Sequence, residues 1–314
     1  MRILLASPID EAAIDYLRRT HDVVLAIDAD EEEFAVAVGD CEAVVFRSGV
    51  TISARCMARA PNLRLLIRAG CGLDNVDSDY AYNRGIALHS IPEPAAQAVA
   101  EMAFALMLAL ARDLREADRL LRQGHWAKHA LEGRLLSGNT LGIVGVGNIG
   151  TRVGQLGVAW GMRALGCVGH PSPEVAAKLG AQGIKLVAFD ELMARADFVC
   201  LHVPLADTTR NLVDARVLAR MKPGAMLVNM SRGGVVDEAA LYEALVEGGR
   251  LRGAALDVHC AEGEGLISPL AGLPNVILTP HIGSTTEDTQ RQIGARVVEI
   301  VEEYTAAQAT ARLS

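Results

Sequence analysis

The sequence predicts an α/β protein made of two doubly wound parallel-sheet domains. Three observations predict it. Short apolar runs alternate with segments of helical spacing over roughly the first hundred residues. A second alternation of the same kind starts at Thr140, and a helical stretch separates the two, after Pro92-Glu93-Pro94. The length, 314 residues, exceeds one typical domain and suits two.

In the first series, strands are expected at Arg2 to Ala6, Val23 to Ile27, Ala43 to Phe46, Leu65 to Ile67 and Ala87 to His89. The pieces between them, Glu11 to Arg19 for example, repeat their apolar residues at helical spacing. A long helix is expected from about Ala96 through Ala111, with more helix to Gln123. The second series places strands at Leu141 to Val144, Arg163 to Val168, Phe198 to His202, Met226 to Asn229, Gly253 to Asp257 and Val276 to Leu278. The tail from Thr286 to Ala306 reads as helix, and no short repeat or low-complexity segment interrupts the pattern. Two parallel α/β domains with a cleft between them are the simplest expectation.

Composition narrows the function. Apolar residues make up 51% and aromatics only 4%, so the cores must be largely aliphatic. A net charge of −8 argues against nucleic acid or an anionic membrane as the main partner. The run Met102 to Ala111 is too short to span a bilayer and reads as a buried or interface helix. The N-terminus lacks a signal-peptide layout, and Cys41, Cys56, Cys71, Cys167, Cys200 and Cys260 lack metal-ligand spacing. A cytoplasmic protein with reduced thiols and no metal is expected.

The clearest motif is Leu141-Gly-Ile-Val-Gly145-Val-Gly147-Asn-Ile-Gly150, a GxGxxG between an apolar strand and a helical stretch. Gly145 permits a tight turn, Gly147 lets the backbone approach a pyrophosphate, and Gly150 lets helix pack on strand. The helix N-terminus then offers N–H groups and a positive dipole end to phosphate. The acidic residue that should hold the ribose 2′-OH of NAD about twenty residues on is missing. The second strand ends Gly166-Cys167-Val168-Gly169-His170-Pro171-Ser172, without carboxylate or strong cation. NAD is slightly favoured, NADP stays open, and His170 is the candidate ribose neighbour.

Three further segments lie at predicted carboxyl ends of strands, where open α/β sheets bind ligands. They are Met221 to Asp237 with Ser231-Arg232-Gly233-Gly234, Ala255 to Glu262, and Leu278-Thr-Pro-His281-Ile-Gly-Ser284. With Arg68-Ala-Gly-Cys-Gly-Leu-Asp-Asn-Val-Asp77 and Leu201-His-Val-Pro-Leu205, they make the chain resemble the D-isomer-specific 2-hydroxyacid dehydrogenases, the phosphoglycerate dehydrogenase branch included. The resemblance implies a Rossmann dinucleotide-binding domain over 97–287. It would be inserted into a flavodoxin-like substrate domain formed by 1–96 and 288–314.

It also implies Arg232, Glu262 and His281 as the catalytic set. Asn148 and Ile149 would touch the pyrophosphate, Val203, Pro204, Thr209 and Met230 would line the cofactor groove, and Asp257 would meet the nicotinamide carboxamide. Gly283, Arg232 and His281 would border the cofactor too. The loop Ala69 to Gly72, with Cys71, would bind the substrate carboxylate through backbone N–H groups. Asp74 and Asp77 read as helix caps, and His202 as structural. The chemistry is consistent with these roles. Arg232 offers a fixed fork of donors to a carboxylate. His281 can give a proton to a carbonyl oxygen and take it back, with Glu262 orienting the ring and favouring its charged form. The Gly263 that follows Glu262 stands where the family has Pro.

Arg47 and Arg68 end strands of the first domain, where the family's phosphoglycerate branch holds a phosphate, with a basic residue near Lys128. A small 2-oxo acid with a second anionic group is therefore expected, 3-phosphoglycerate-like or phosphonopyruvate-like, with glyoxylate or hydroxypyruvate reduction as the alternative. Surface ion pairing of both arginines is the bland reading. The apolar helix 101–111 is expected to form a homodimer arm, or else a core helix, and no appended regulatory domain is expected after the last helix. A non-catalytic dinucleotide-sensing regulator is the rival from another class, and phosphite oxidation stays open.

Overall fold

A computed structural model describes residues 1–311 apart from Asp28, Asp30, Glu247 and Gly248. It divides into two compact units, Met1–Ala95 with Thr285–Ser314, and Ala96–Ser284.

The first unit runs β1 (Arg2–Leu5), α1 (Glu11–Thr20), β2 (Asp22–Leu25), α2 (Glu31–Ala37), β3 (Ala43–Phe46), α3 (Ala54–Ala58), β4 (Leu65–Arg68), α4 (Ser78–Asn83) and β5 (Ala87–Ser90). Its five strands are parallel in the order β2-β1-β3-β4-β5, the flavodoxin-like order. Strands β3 and β4 are buried throughout, as expected when helices cover both faces of a parallel sheet. Asp77 caps α4 by accepting the Tyr80 N–H at 2.9 Å, as its position implied. Asp74 lies outside that cap.

The second unit contains α5 (Glu93–Ala111), α6 (Leu114–Arg122), β6 (Thr140–Val144), α7 (Asn148–Ala159), β7 (Arg163–Cys167), α8 (Pro173–Gly180), β8 (Ile184–Leu186), α9 (Phe189–Arg195), β9 (Phe198–Leu201), α10 (Ala215–Leu218), β10 (Met226–Asn229), α11 (Glu238–Leu245), β11 (Gly253–Leu256) and β12 (Val276–Leu278). The last helix, α12 (Glu287–Ala311), returns to the first unit, where Ile293, Val297 and Ile300 share a core with Ala13 and Leu17 of α1. The second sheet is parallel in the order β12-β11-β10-β9-β6-β7-β8, a Rossmann order extended by one strand. Its strand order reverses between β6 and β9, so the carboxyl ends of those strands diverge and leave a crevice.

Three features differ from the sequence expectation. Strand β8 was not anticipated, because its three residues are too few to establish a period of two. Helix α5 begins at Glu93 rather than near Ala96. Pro94 sits in its first turn, where no intrahelical N–H bond is needed. Finally, α5 is not an exposed arm. Ala100, Ala103, Phe104, Met107, Leu110 and Ala111 are buried in the core of the second unit with Ile143 and Val228. By length and composition α5 is apolar enough to cross a membrane, but most of it is enclosed by its own domain, so its apolarity is that of a core helix.

Candidate active site

The glycine turn sits at the point of strand-order reversal. Gly145 follows β6 with φ 93°, and a Cβ there would collide with the His202 carbonyl and Val203. A Cβ at Gly150 would run into the Gly145 carbonyl oxygen, so that close approach of helix to strand needs glycine. At Gly147, the N-cap of α7, a Cβ would meet no atom within 4 Å. The space beside it is open to a ligand, and α7 starting at Asn148 and Ile149 directs its first N–H groups there.

Next to the turn is a groove of about 550 Å³ lined by Gly145, Val168, Phe189, Val203, Thr209 and Leu212 among others. No acidic or basic side chain lines it. Thr209 shapes the rim: its hydroxyl donates to the Pro204 carbonyl at 2.6 Å and accepts the Ala206 N–H at 2.8 Å. His170 is solvent-exposed between Gly169 and Pro171, which do line the groove. Met230 is buried in the core, and its Sδ-methyl end would be struck by a Cβ at Gly283. His202 continues β9 by donating its N–H to Val144 at 2.8 Å. Burial pushes its imidazole down to about 3, so the ring is neutral at physiological pH and unsuited to proton transfer there. That agrees with a structural role.

Glu262 and His281 meet directly. The ring N–H at Nδ1 of His281 donates to Glu262 Oε2 at 2.9 Å, which leaves Nε2 as the nitrogen able to exchange a proton. Partial burial pushes the Glu262 carboxyl up, but the bonds from His281 and from the His259 backbone N–H outweigh it, and the group rests below its ordinary value. His281 has φ 54°, a left-handed conformation that a non-glycine residue keeps only when its surroundings hold it. They do so through its own N–H, shared between the Asp257 and Thr279 carbonyls at 2.8 and 3.0 Å.

Asp257 differs from its expected duty as partner of a nicotinamide amide. It is 2% exposed, and both its carboxylate oxygens accept bonds from the turn that carries His281. Thr279 donates its hydroxyl at 2.6 Å, Ile282 its N–H at 2.9 Å and Gly283 its N–H at 2.8 Å. Asp257 therefore acts as the brace of that turn.

Arg232 leaves the end of β10 on a hook of buried polar groups. Asn229 accepts from the Ser231 N–H and hydroxyl at 3.1 and 2.6 Å, and donates to the Arg232 carbonyl at 3.1 Å. One Arg232 guanidinium nitrogen donates to the Ser231 carbonyl at 2.8 Å. The next residue, Gly233, lies so close to the His259 carbonyl that a Cβ would overlap it. The loop bearing Arg232 is thus pressed against the loop that leads to Glu262.

The first unit treats its expected residues unequally. Arg47 is half-buried at the end of β3, with its Nη1 donating to Gln290 Oε1 at 2.8 Å and its backbone N–H to Ser7 Oγ at 3.0 Å. Burial lowers its guanidinium from the ordinary value. Arg68 was expected to face a substrate phosphate, but it is 5% exposed and its Nε donates to the Gly72 carbonyl at 2.9 Å, so it buttresses the 69–72 loop. Ala69 was expected to offer its N–H to a carboxylate, yet that N–H bonds the Phe46 carbonyl at 2.9 Å. Cys71 reaches the Pro92 carbonyl through its thiol at 3.4 Å.

Sequence reasoning missed the supporting residues Asn229, Ser231 and Glu238. A polar side chain at the buried end of an apolar strand was the available signal for Asn229. Glu238 read as an ordinary first-turn acid of α11.

The family model for the D-isomer specific 2-hydroxyacid dehydrogenase NAD binding domain matches residues 104–283. D-3-phosphoglycerate dehydrogenase of Methanocaldococcus jannaschii is 39% identical over 299 residues, which are 95% of this chain and 56% of that protein. The chain thus spans little more than half the length of that relative. Hydroxypyruvate reductase of Thermotoga maritima is 36% identical over 301 residues, 95% of this chain and 96% of that protein. Among solved structures, D-lactate dehydrogenase from Aquifex aeolicus complexed with NAD and lactic acid aligns with a TM-score of 0.86 at 26% identity, covering 99% of this chain and 97% of that one. The region matched by the family model holds the glycine turn, Arg232, Glu262 and His281 together, and by this match the chain belongs to the D-isomer-specific 2-hydroxyacid dehydrogenase family.

Proposed function

We propose that the protein reduces a small 2-oxo acid, or oxidises the matching D-2-hydroxy acid, with NAD(H) as its cofactor. The observation that carries this reading is the His281–Glu262 contact, which leaves one imidazole nitrogen for proton exchange on a loop system shared with Arg232. The glycine turn, the open space at Gly147 and the groove beside them fit a dinucleotide: Gly145, Gly147, Asn148, Ile149 and Gly150 would hold the pyrophosphate, and Val203, Pro204 and Thr209 the adenosine side. When bound, the nicotinamide supplies the hydride to C2, or accepts it.

Arg232 grips the substrate carboxylate with paired donors, which fixes the adjacent carbonyl in place. His281 holds a proton at Nε2 for the carbonyl oxygen and takes it back in the reverse direction. Glu262 keeps the imidazole in the orientation and charge state this needs. Asp257, through Thr279 and the backbone of 281–283, holds His281 in its left-handed conformation.

The half-buried cation of Arg47 supports a substrate with a second anionic group, such as 3-phosphohydroxypyruvate. The near full-length match to a hydroxypyruvate reductase supports the simpler acid as the second reading. The test is a panel of 2-oxo acids, phosphorylated and not, followed by nicotinamide absorbance with NADH and NADPH in parallel. Turnover of 3-phosphohydroxypyruvate above hydroxypyruvate and glyoxylate, with NADH preferred, is the expected result. Binding of a dinucleotide with no turnover of any acid would favour a non-catalytic sensor instead.

The same reading includes a cytoplasmic homodimer joined through the dinucleotide-binding unit. Leu114, Leu121, Trp126 and Leu135 leave a large apolar area exposed on and after α6. Light scattering over a dilution series is expected to give twice the chain mass, and a monomer at all concentrations would remove the dimer.

A further inference from the structure

The loop from Asp257 to Glu262 carries one half of the His281–Glu262 contact, yet it is an irregular stretch between β11 and β12 with no ladder of its own. Something must hold it, because a displacement of 1 Å at a reacting group costs up to about 100-fold in rate. The carboxylate of Glu238, the first residue of α11, is only 8% exposed. Its Oε1 accepts the backbone N–H of Cys260 at 2.7 Å, two residues before Glu262. The Cys260 thiol is raised from its ordinary value, by partial burial first and then by the Glu238 carboxylate beside it, so a protonated thiol stands against that carboxylate as well. Gly233 presses on the same loop from the Arg232 side, where a side chain would overlap the His259 carbonyl. Beyond the contact with Glu238, the loop closes on itself: the His259 N–H donates to Glu262 Oε1 at 3.1 Å and His259 Nε2 to the Thr279 carbonyl at 2.9 Å.

We infer that Glu238 is a positioning residue for the acid–base pair: by seating Cys260, it sets the distance between Glu262 and His281 and the register of Arg232 against them. The inference rests on the dehydrogenase reading above. It assigns to Glu238 no contact with substrate or cofactor. What matters is the reach of an acceptor oxygen to the Cys260 N–H, and this separates it from the helix-capping role that a first-turn carboxylate usually plays.

Two variants oppose these roles. Glu238→Gln keeps the acceptor at the same reach and removes the charge, whereas Glu238→Asp keeps the charge and shortens the reach by one methylene. Steady-state kinetics with NADH and the preferred 2-oxo acid, pH–rate profiles and thermal unfolding are measured for both. Glu238→Gln is expected to keep kcat within about twofold of the parent. Glu238→Asp should lose about 10- to 100-fold in kcat with an unchanged KM for NADH, and the alkaline limb of its reduction profile should move to lower pH. That limb reports on His281, whose titratable surroundings are Glu262 at Nδ1, Asp257 under its turn, and His259 and Glu264 along the same loop. The reverse order of the two variants overturns the inference, as does an equal loss in both with an unmoved pH profile. Parent-like kinetics in Glu238→Asp overturn it as well. A parent enzyme that turns over no 2-oxo acid would instead bring down the dehydrogenase reading and the inference with it.

Discussion

Replacing His281 with Ala is expected to lower kcat about 10²- to 10⁴-fold, the usual worth of a positioned general acid–base group. Dinucleotide affinity, read by quenching of protein fluorescence or by calorimetry, should stay within a few-fold of the parent. The separation follows from the architecture: His281 lies on the turn after β12, while the glycine turn follows β6 on the other side of β9, β10 and β11. Because His281 holds a left-handed conformation, a His281→Asn variant is the appropriate companion. Asn tolerates that conformation better than Ala but offers no titrating nitrogen. Both variants should lose turnover, and a His281→Asn enzyme with parent-like kcat would exclude His281 as the proton carrier.

The second large effect is expected at Arg232. A guanidinium on a carboxylate makes two charge-assisted hydrogen bonds, each worth about 1.5–3 kcal/mol. Their loss in Arg232→Ala corresponds to roughly 10²- to 10⁴-fold in kcat/KM for the acid. Arg232→Lys restores a point charge without the fork, so it should recover only part of the loss, mainly as a lower KM than the Ala variant shows. The backbone hook formed by Asn229 and Ser231 involves the Arg232 carbonyl rather than its side chain, so both variants should fold normally. A Lys variant equal to the parent in kcat and KM would remove the bidentate grip from the proposed mechanism.

Much of this was legible in the residues. Parallel sheets buried on both faces write themselves as continuous apolar runs, so ten of the twelve strands end within a residue or so of where those runs stop, whereas three-residue β8 left no period to read. The glycine turn was legible because close backbone approaches tolerate no side chain, and Gly145 and Gly150 meet that demand. His281 and Glu262 were legible only through resemblance, since a lone His and an acid in a Gly-rich loop carry no local signature. Asp257 shows the limit of that route: resemblance pointed it at a cofactor amide, whereas its oxygens serve the turn that carries His281. Arg68 shows the same limit, as a cation at a strand end can face a ligand or fold back on its own loop, and here it bonds the Gly72 carbonyl.

What the sequence determined by itself was therefore everything governed by near neighbours along the chain: the alternation of strand and helix, the parallel pairing it requires, the capping of α4 by Asp77, and the turn into α7. Tertiary structure alone decided which distant groups share a hydrogen bond, from the pairing of Glu262 with His281 to the seating of Cys260 on Glu238 and the enclosure of α5 in its own core. The physical reason is that such contacts depend on where separate strands end relative to one another in the sheet. Side-chain hydrogen bonds form or fail over a few tenths of an ångström, a scale on which spacing along the chain carries no information.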